Sequence, residues 1–342
     1  MLVRYLDEIG ADEPATLVLA QAPVAEVEAL MAGREETPDV LCVVDGAPRA
    51  DHVLQYGESP RAVVDELVAR PRVSVVIPCY KQAHFLPEAV HSVLGQTFRS
   101  FEILVVDDGS PDDTATVTRR LQRFHPEARI VLVRKPNGGL CSARNTGIAL
   151  AKGEYILPLD ADDSIQPTFL ERCVAALDGN HDVSIAFGGQ QNFGADETFH
   201  PHHAYDFRTE TLMNLIGVAS LFRRTAWEDA GGYAEDIDPA YADWNFWISC
   251  GEAGHDAMHV PSAVFNYRVR SGSMYAEAVA HDQKLKAEIV VRHPRLYTPE
   301  QSYWAQCVLA GDPAALAVPN VVGRMPVFSG RPGQAGELAQ AS

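Results

Sequence analysis

Apolar and polar positions along the chain predict short buried strands that alternate with amphipathic helices. Apolar residues at helical spacing predict helices over 86–95 and 142–152. Short apolar runs closed by proline or polar residues are typical of strands buried on both faces. Such runs predict strands over 73–78, 101–106, 129–133, 157–159 and 183–187. The alternation indicates an α/β fold with helices on a sheet.

The two ends of the chain have different patterns. Near the start, apolar runs at 16–19 and 40–44 predict strands, with helices expected near 23–32 and 60–70. After about 276 the pattern is helical, and the final residues are rich in glycine, alanine and proline. The predicted division is a small α/β N-terminal extension (1–70), a main domain (71–275), a C-terminal helical segment (276–311) and a mobile tail (312–342).

Two of the predicted strands end on aspartates. The run at 157–159 leads into Asp160 and Asp162, which project from the same side of an extended chain because side chains alternate along it. Upstream, the run at 101–106 ends on Asp107 and Asp108. Strand ends in an α/β sheet face the crevice in which ligands bind. These carboxylates therefore suit a divalent cation that carries a phosphate ester.

Two other interpretations of the 160–163 segment are open. A calcium loop of the EF-hand type needs Asp or Asn at its fifth position and glycine at its sixth, where this chain has Ser164 and Ile165. A solvated acidic turn needs no ligand at all. The second aspartate pair, at 107–108, favours a ligand site, because helix capping explains the aspartates at 112–113 but not those at the strand end.

Four segments in this order resemble family 2 glycosyltransferases, which have the GT-A fold. They are 73–96 (VSVVIPCYKQAHFLPEAVHSVLGQ), 105–110 (VVDDGS), 138–148 with its GGL and ARNTGI elements, and 159–163 (LDADD). The resemblance implies a GT-A (nucleotide-diphospho-sugar transferase) fold: a Rossmann-like mixed sheet flanked by helices. The N-terminal α/β extension and the C-terminal helical segment would be additions to it.

The resemblance also implies a nucleotide-sugar donor, expected to be a UDP-sugar, with Mn²⁺ or Mg²⁺ as cofactor. Asp162 is then the expected direct metal ligand, while Asp160 would hold the ribose or a water bound to the metal. Asp108 is expected to accept a hydrogen bond from the uracil ring. Pro78 and Tyr80 are expected to line the pocket for that base.

Two arginines are candidates for contacts with the anionic part of the donor. Arg144 stands where the family places a phosphate or ribose contact, although a position on the helix surface explains it equally well. Arg270 stands where similar enzymes often have a histidine that completes the metal shell. Because a guanidinium does not coordinate cations, Arg270 is expected to pair with the diphosphate directly.

The segment 241–247 resembles the family's Glu-Asp-Trp element, in which the aspartate is the catalytic base. Asp243 is therefore expected to take the proton of the acceptor hydroxyl in an inverting displacement. The glutamate of that element is replaced by Ala242. The alternative role for Asp243 is a helix N-cap. Trp244 and Trp247 are expected to pack in the core.

Composition and charge fit an enzyme of this kind. The chain has 342 residues, of which 46% are hydrophobic, which suffices for one large core with additions. A net charge of −18 disfavours nucleic acid as a partner. The sequence has no apolar run long enough for a transmembrane segment and no signal-peptide pattern at its start, so a cytoplasmic location is expected. Six scattered cysteines without a C-x-x-C pair indicate buried free thiols.

Other function classes fit less well. A sugar-1-phosphate nucleotidyltransferase would have a glycine-rich loop with an arginine after its first strand, and this chain has 77–80 (IPCY) there. A dehydrogenase would have Gly-x-Gly-x-x-Gly after a strand. A processive polysaccharide synthase would have Gln-x-x-Arg-Trp after Asp243. The sequence therefore predicts a non-processive, inverting glycosyltransferase whose acceptor, whether glycan, lipid-linked, protein or small molecule, is unknown. The alternative is a catalytically impaired nucleotide-sugar- or glycan-binding protein on the same fold.

Overall fold

The structure, a computed structural model of the chain, describes three N-terminal strands and residues 71–202, 204–270 and 279–328. The strands are β1 Leu17–Ala20, β2 Val40–Val43, β3 His52–Gln55, β4 Val73–Cys79, β5 Phe101–Asp108, β6 Ile130–Lys135, β7 Tyr155–Pro158, β8 Ser164–Ile165, β9 Val183–Gly194, β10 Phe199–His200, β11 Leu221–Arg223 and β12 Asp256–Val269. The α-helices are α1 Leu86–Leu94, α2 Thr114–Phe124, α3 Leu140–Leu150, α4 Phe169–Gly179, α5 Phe207–Glu210, α6 Arg224–Asp229, α7 Ala242–Glu252, α8 Asp282–Arg292, α9 Pro299–Leu309 and α10 Pro313–Leu316. Single 3₁₀ turns occupy Pro239–Tyr241 and Val279–His281.

The described strands form one mixed sheet in the order β3-β2-β1-β6-β5-β4-β7-β11-β9-β12-β8, with β10 paired to β9. From β2 to β7 every neighbouring pair is parallel, whereas β11 runs antiparallel to both β7 and β9. Parallel strands require helical crossovers, which cover both faces of the sheet. This arrangement confirms the predicted α/β mixed sheet flanked by helices.

Two hydrophobic cores lie on the two faces of this sheet, because successive side chains of a strand point in opposite directions. Along β5, Leu104 and Val106 belong to one core, and Ile103 and Val105 belong to the other. Helix α3 approaches the first face closely at Gly147, where an added Cβ would lie 2.4 Å from a methyl group of Val76. A larger residue at this position would clash, so the glycine permits the close packing of α3 against the sheet.

The N-terminal strands extend the main sheet. β1 and β2 coincide with the two apolar runs near the start of the chain, and β1 pairs in parallel with β6. The helices predicted near 23–32 and 60–70 lie outside the described residues. The domain boundaries themselves stay a prediction.

The C-terminal segment is helical, as its pattern predicts, but part of the predicted tail is folded. Ala315 and Met325 are buried in the core, and the Nζ atom of Lys286 donates to the carbonyl oxygen of Arg324 at 2.7 Å. The mobile-tail interpretation is therefore wrong for residues 312–328, because a buried lysine takes its hydrogen-bond acceptors from them. Residues 329–342 lie outside the described part of the chain.

Five cysteines in the described part of the chain are free, and four of them are buried, as expected for structural thiols. Within the same part, the structure has no helix that combines the length and the apolar character needed to cross a membrane.

Candidate functional site

The carboxyl ends of β4, β5 and β7 meet at one edge of the sheet. Their register places Cys79 opposite Asp107, and Val76 opposite Pro158. The loops that follow these strands are therefore neighbours, as expected for adjacent parallel strands. These loops carry the base-pocket candidates, the 107–108 pair and the 160–163 segment.

Asp163 has a structural role in its turn. It is buried, its backbone N–H donates to the carbonyl oxygen of Asp160, and its Oδ1 accepts from the backbone N–H of Arg268 at 2.8 Å. Burial, followed by the negative charges of Asp160 and Asp162, raises its pKa well above the usual range. Asp163 therefore anchors the turn, while Asp160 and Asp162 are only partly buried at the rim.

Asp162 is paired with two polar side chains. Its Oδ2 accepts from Arg270, with distances of 3.1 Å to Nε and 3.0 Å to Nη2, and from Gln82 Nε2 at 3.1 Å. Burial and the charge of Asp160 raise the pKa of Asp162, and Arg270 opposes that shift. Arg270 thus brings a fixed positive charge to the strand-end carboxylates.

Asp160 is paired with a buried arginine. Nη2 of Arg144 donates to Asp160 Oδ1 at 2.7 Å, and the Arg144 side chain is only 2% exposed. Its guanidinium also lies over the ring of Tyr233, 5.3 Å from the ring centroid. The helix-surface interpretation of Arg144 is therefore wrong. Its predicted contact with a phosphate or ribose stays a prediction, since what it contacts here is Asp160.

Asp108 is buried and closes the turn after β5 onto the loop before α3. Its carboxylate accepts from Lys135 Nζ at 2.7 Å, from Asn137 Nδ2 at 3.2 Å, and from the backbone N–H groups of Gly138 and Gly139 at 3.0 and 2.8 Å. This carboxylate holds the glycine loop in place. Its predicted hydrogen bond to uracil would add to, or replace, these contacts.

The candidates for the base pocket lie at the end of β4. Pro78 is buried at the end of the strand, and Tyr80 is 42% exposed in the loop beyond it. This loop is tied to the neighbouring turn, because the N–H of Lys81 donates to Ser110 Oγ at 2.8 Å. Tyr80 therefore presents an accessible ring beside the turn that follows Asp108.

Asp243 lies in the first turn of α7, one residue after the helix begins at Ala242. The N-cap is Tyr241, so the N-cap interpretation of Asp243 is wrong. Its Oδ1 accepts from the N–H of Trp244 at 2.8 Å. Burial raises the pKa of Asp243, and the positive charge of Arg144 opposes this shift. Arg144 thus connects Asp243 electrostatically with the Asp160 side of the rim.

The structure also bears on the residues around Asp243. Trp244 and Trp247 are fully buried, which confirms that they pack in the core. Ala242 is buried as well, so its side chain adds no polar group next to Asp243. A buried carboxyl does lie near Asp243, but it comes from Glu210 of α5.

Sequence reasoning did not identify several residues that organise the rim. Arg268 donates from Nε to the carbonyl oxygen of Asp162 at 2.9 Å, and its guanidinium lies over the rings of Phe85 and Phe193. The basic spacing Arg268-x-Arg270 at the end of β12 was the available signal, since alternate side chains of an extended chain point to the same side. Nothing local signalled the others, which are Gln82, Lys135, Asn137, Glu210 and Asn214.

The residues present fit a divalent cation only in part. In the part of the chain that the structure describes, no three side chains of His, Cys, Asp or Glu converge as a complete metal site. Mg²⁺ typically binds one or two carboxylates, with phosphate oxygens and waters completing its shell. Asp160 and Asp162 fit that pattern. Burial and, after it, the charge of Asp160 raise the pKa of Asp162, and a cation would relieve the repulsion between the two carboxylates.

Comparison with known proteins agrees with this geometry. Residues 74–230 match the family model described as Glycosyl transferase family 2. The chain is 32% identical to a chondroitin synthase of Pasteurella multocida over 189 residues, which are 54% of this chain and 19% of that protein. It is 26% identical to a chondroitin synthase of Escherichia coli, over 67% of this chain and 35% of that protein. The chain thus spans about a third or less of these relatives.

Two solved structures share the fold. Staphylococcus aureus TarS in complex with UDP-GlcNAc has a TM-score of 0.56 and 18% identity, over 72% of this chain and 76% of that one. The mannosyltransferase PcManGT of Pyrobaculum calidifontis, in complex with GDP-Man and Mn²⁺, has a TM-score of 0.55 and 23% identity, over 74% and 77%. These likenesses confirm the predicted GT-A fold.

Proposed function

We propose that this chain, whose residues 74–230 match the model of glycosyl transferase family 2, moves a sugar from a nucleotide-sugar to an acceptor hydroxyl. One observation carries this proposal: Arg144 pairs with Asp160 and also acts electrostatically on Asp243. A donor-side carboxylate and a candidate base therefore belong to one charged cluster. The bound donors of TarS and PcManGT support a nucleotide-sugar, and we propose a UDP-sugar for this chain.

The proposed reaction is a direct displacement with inversion. The acceptor oxygen forms a bond to the anomeric carbon while the bond between that carbon and the diphosphate breaks. The diphosphate leaves with the electron pair of that bond. Asp243 takes the hydroxyl proton, for which its raised pKa suits it, because a general base works best when its pKa approaches the working pH.

The leaving diphosphate needs positive charge. Asp162, with Asp160 beside it, would hold Mn²⁺ or Mg²⁺, and the bound ion would supply Lewis-acid stabilisation of the departing group. Arg270, now paired with Asp162, would add a fixed guanidinium at the same place. Pro78, Tyr80 and Asp108 would form the base pocket. We also propose non-processive transfer, because the sequence has no Gln-x-x-Arg-Trp after Asp243.

A catalytically impaired binding protein is the second candidate. The observation that favours it is the pairing of Asp162 with Arg270 and Gln82, which already compensates the carboxylate expected to bind the metal. Ala242 points the same way, since it replaces the glutamate that related enzymes have beside the base. A nucleotide-sugar- or glycan-binding role needs no base.

A panel of UDP- and GDP-sugars tests the two candidates together. Nucleotide release would be measured with and without Mn²⁺ for the wild-type protein and for Asp243→Asn. An enzyme releases nucleotide from its donor, and the variant does so much more slowly. Tight donor binding without release under every condition would favour the binding protein. The anomeric configuration of the product, read by NMR, tests inversion separately, and a retained configuration would reject it.

A further inference from the structure

Glu210 is a buried carboxyl group that the proposed reaction does not use. Its side chain is 0% exposed, and within the described residues no lysine, arginine or histidine forms an ion pair with it. An unpaired buried carboxyl is costly to keep in a protein. Its Oε2 accepts from the N–H of Leu215 at 3.0 Å, and its carbonyl oxygen accepts from the indole N–H of Trp244 at 2.7 Å. Glu210 is thus fixed against the helix that carries Asp243.

The amide of Asn214 lies between Glu210 and Asp243. One end of the amide lies 3.2 Å from Glu210 Oε1 and 3.0 Å from the carbonyl oxygen of Ile216. The other end lies 3.3 Å from Asp243 Oδ2, to which the amide nitrogen would donate in the opposite orientation. Because a backbone carbonyl only accepts hydrogen bonds, the contact with Ile216 requires the amide nitrogen at the first end. The nitrogen then donates to both Glu210 and Ile216, and the amide oxygen faces Asp243.

An amide oxygen beside Asp243 favours one of its protonation states. It accepts a hydrogen bond from the protonated carboxyl group and repels the ionised one. The protonated form is the one that Asp243 reaches when it removes the acceptor's proton. The orientation of Asn214 therefore makes Asp243 a stronger base than an amide in the opposite orientation would.

We propose that Glu210 is a positioning residue for the base: together with the Ile216 carbonyl, it holds the amide of Asn214 so that the amide oxygen faces Asp243. The inference rests on the proposed transfer function and deepens it. Glu210 comes from α5, outside the segment around Asp243. It supplies a carboxyl near the base in a chain that has alanine at position 242.

Glu210→Gln is the most direct test, because it keeps the shape of the side chain. With its oxygen held by the N–H of Leu215, its new amide nitrogen faces the nitrogen of Asn214 and favours the reversed amide. We expect kcat to fall on the order of 10-fold, as for one altered hydrogen bond to a charged group, with KM for the donor unchanged. The acid limb of the kcat profile should move to lower pH, because Asp243 becomes less basic.

A double-mutant cycle shows whether Glu210 acts through Asn214. Asn214→Ala alone should lower kcat to a similar extent, and adding Glu210→Gln to it should have no further effect. If Glu210→Gln lowers kcat equally in both backgrounds, Glu210 acts directly through its charge and the positioning role is overturned. Glu102→Gln is the matched control, since Glu102 is also buried but is bonded to Ser74 and Arg129. It should keep the wild-type kcat.

NMR titration of the Asp243 carboxyl, in protein labelled with ¹³C-aspartate and assigned with Asp243→Asn, needs no catalytic turnover. Glu210→Gln should lower the pKa of Asp243, and an unchanged or raised pKa would overturn the inference. Other titratable groups also act on Asp243, and the variants compared must leave them unchanged. These groups are Cys141, Arg144, Asp160, Tyr233 and Tyr267. A wild-type protein inactive with every donor would refute the proposed function, while this titration would still decide the positioning role.

Discussion

Replacing Asp243 by asparagine tests the proposed base directly. The substitution keeps the shape, and the amide oxygen can still accept from the N–H of Trp244, which lies 2.8 Å from Oδ1 in the native protein. It removes only the ability to take a proton. Asp243 has no predicted contact with the nucleotide, so UDP affinity should stay nearly unchanged.

The size of the effect follows from the chemistry of general bases. Loss of such a base usually lowers a rate by roughly 10² to 10⁴. At about 1.36 kcal/mol for each factor of ten, this range corresponds to roughly 3 to 5 kcal/mol of activation free energy. We therefore expect kcat to fall within that range, with little change in KM for the donor.

Stability should not account for the loss. Burial raises the pKa of Asp243 in the folded protein above its ordinary value of 3.8. A carboxyl group shifted in this direction stabilises the fold below its unfolded pKa, and the contribution is lost as the pH rises through the folded pKa. At neutral pH the ionised group therefore costs stability. Asp243→Asn should unfold at the same denaturant concentration as the wild type or at a higher one.

The assay compares initial rates of sugar transfer and calorimetric UDP affinity for wild type, Asp243→Asn and Asp236→Asn. Asp236 is the matched control, because it lies in the loop before α7 and its exposed side chain forms an ion pair with Arg292 at 2.8 Å. Such surface pairs contribute little. Wild-type transfer by Asp243→Asn would refute the assignment of the base. A similar loss in both variants would show that the effect is not specific to Asp243.

Three further predictions concern other parts of the molecule. Asp162→Asn should abolish the Mn²⁺-dependent part of UDP binding and lower transfer by several orders of magnitude, as chelation should. Full activity after chelation, with metal removal verified by mass spectrometry, would contradict this. Asp108→Ala should weaken UDP binding by about 1–3 kcal/mol in calorimetry. Unchanged affinity would show that the uracil ring binds elsewhere. Lys286→Met leaves Asp282 buried without its partner at 2.6 Å. It should lower the free energy of unfolding by about 3–5 kcal/mol in urea titrations, and a loss below about 1 kcal/mol would contradict the buried pair.

The sequence alone predicted the elements whose signals are local. The strand that begins at Val73 and the helix that begins at Leu86 are predicted by the spacing of apolar residues within a short stretch of sequence. The position of Asp108 and Asp160 at one edge also follows, because parallel strands of one sheet end on the same side. The family resemblance was readable for the same reason, since its motifs are these strand ends and turns.

The tertiary structure decided which side chains pair with one another. Arg270 pairs with Asp162, although 108 positions separate the two residues in the chain. A local sequence pattern does not predict such a long-range contact. Arg144 fits a surface helix by its sequence, and only the packing of α3 under Asp160 and Tyr233 shows that it is buried.

Tertiary packing also decided the contacts of the C-terminal end and the surroundings of Asp243, which local sequence patterns do not predict. The composition of residues 312–328 resembles a tail, yet the buried amine of Lys286 takes its hydrogen bonds from that segment. Glu210 and Asn214 reach Asp243 only because α5 packs beside the start of α7. Local periodicity predicts which elements are present and roughly where they lie, although the strand predicted over 183–187 continues to Gly194. The partners of a buried charge depend on how distant elements pack, because a charge removed from water must be compensated by whatever the fold brings near it.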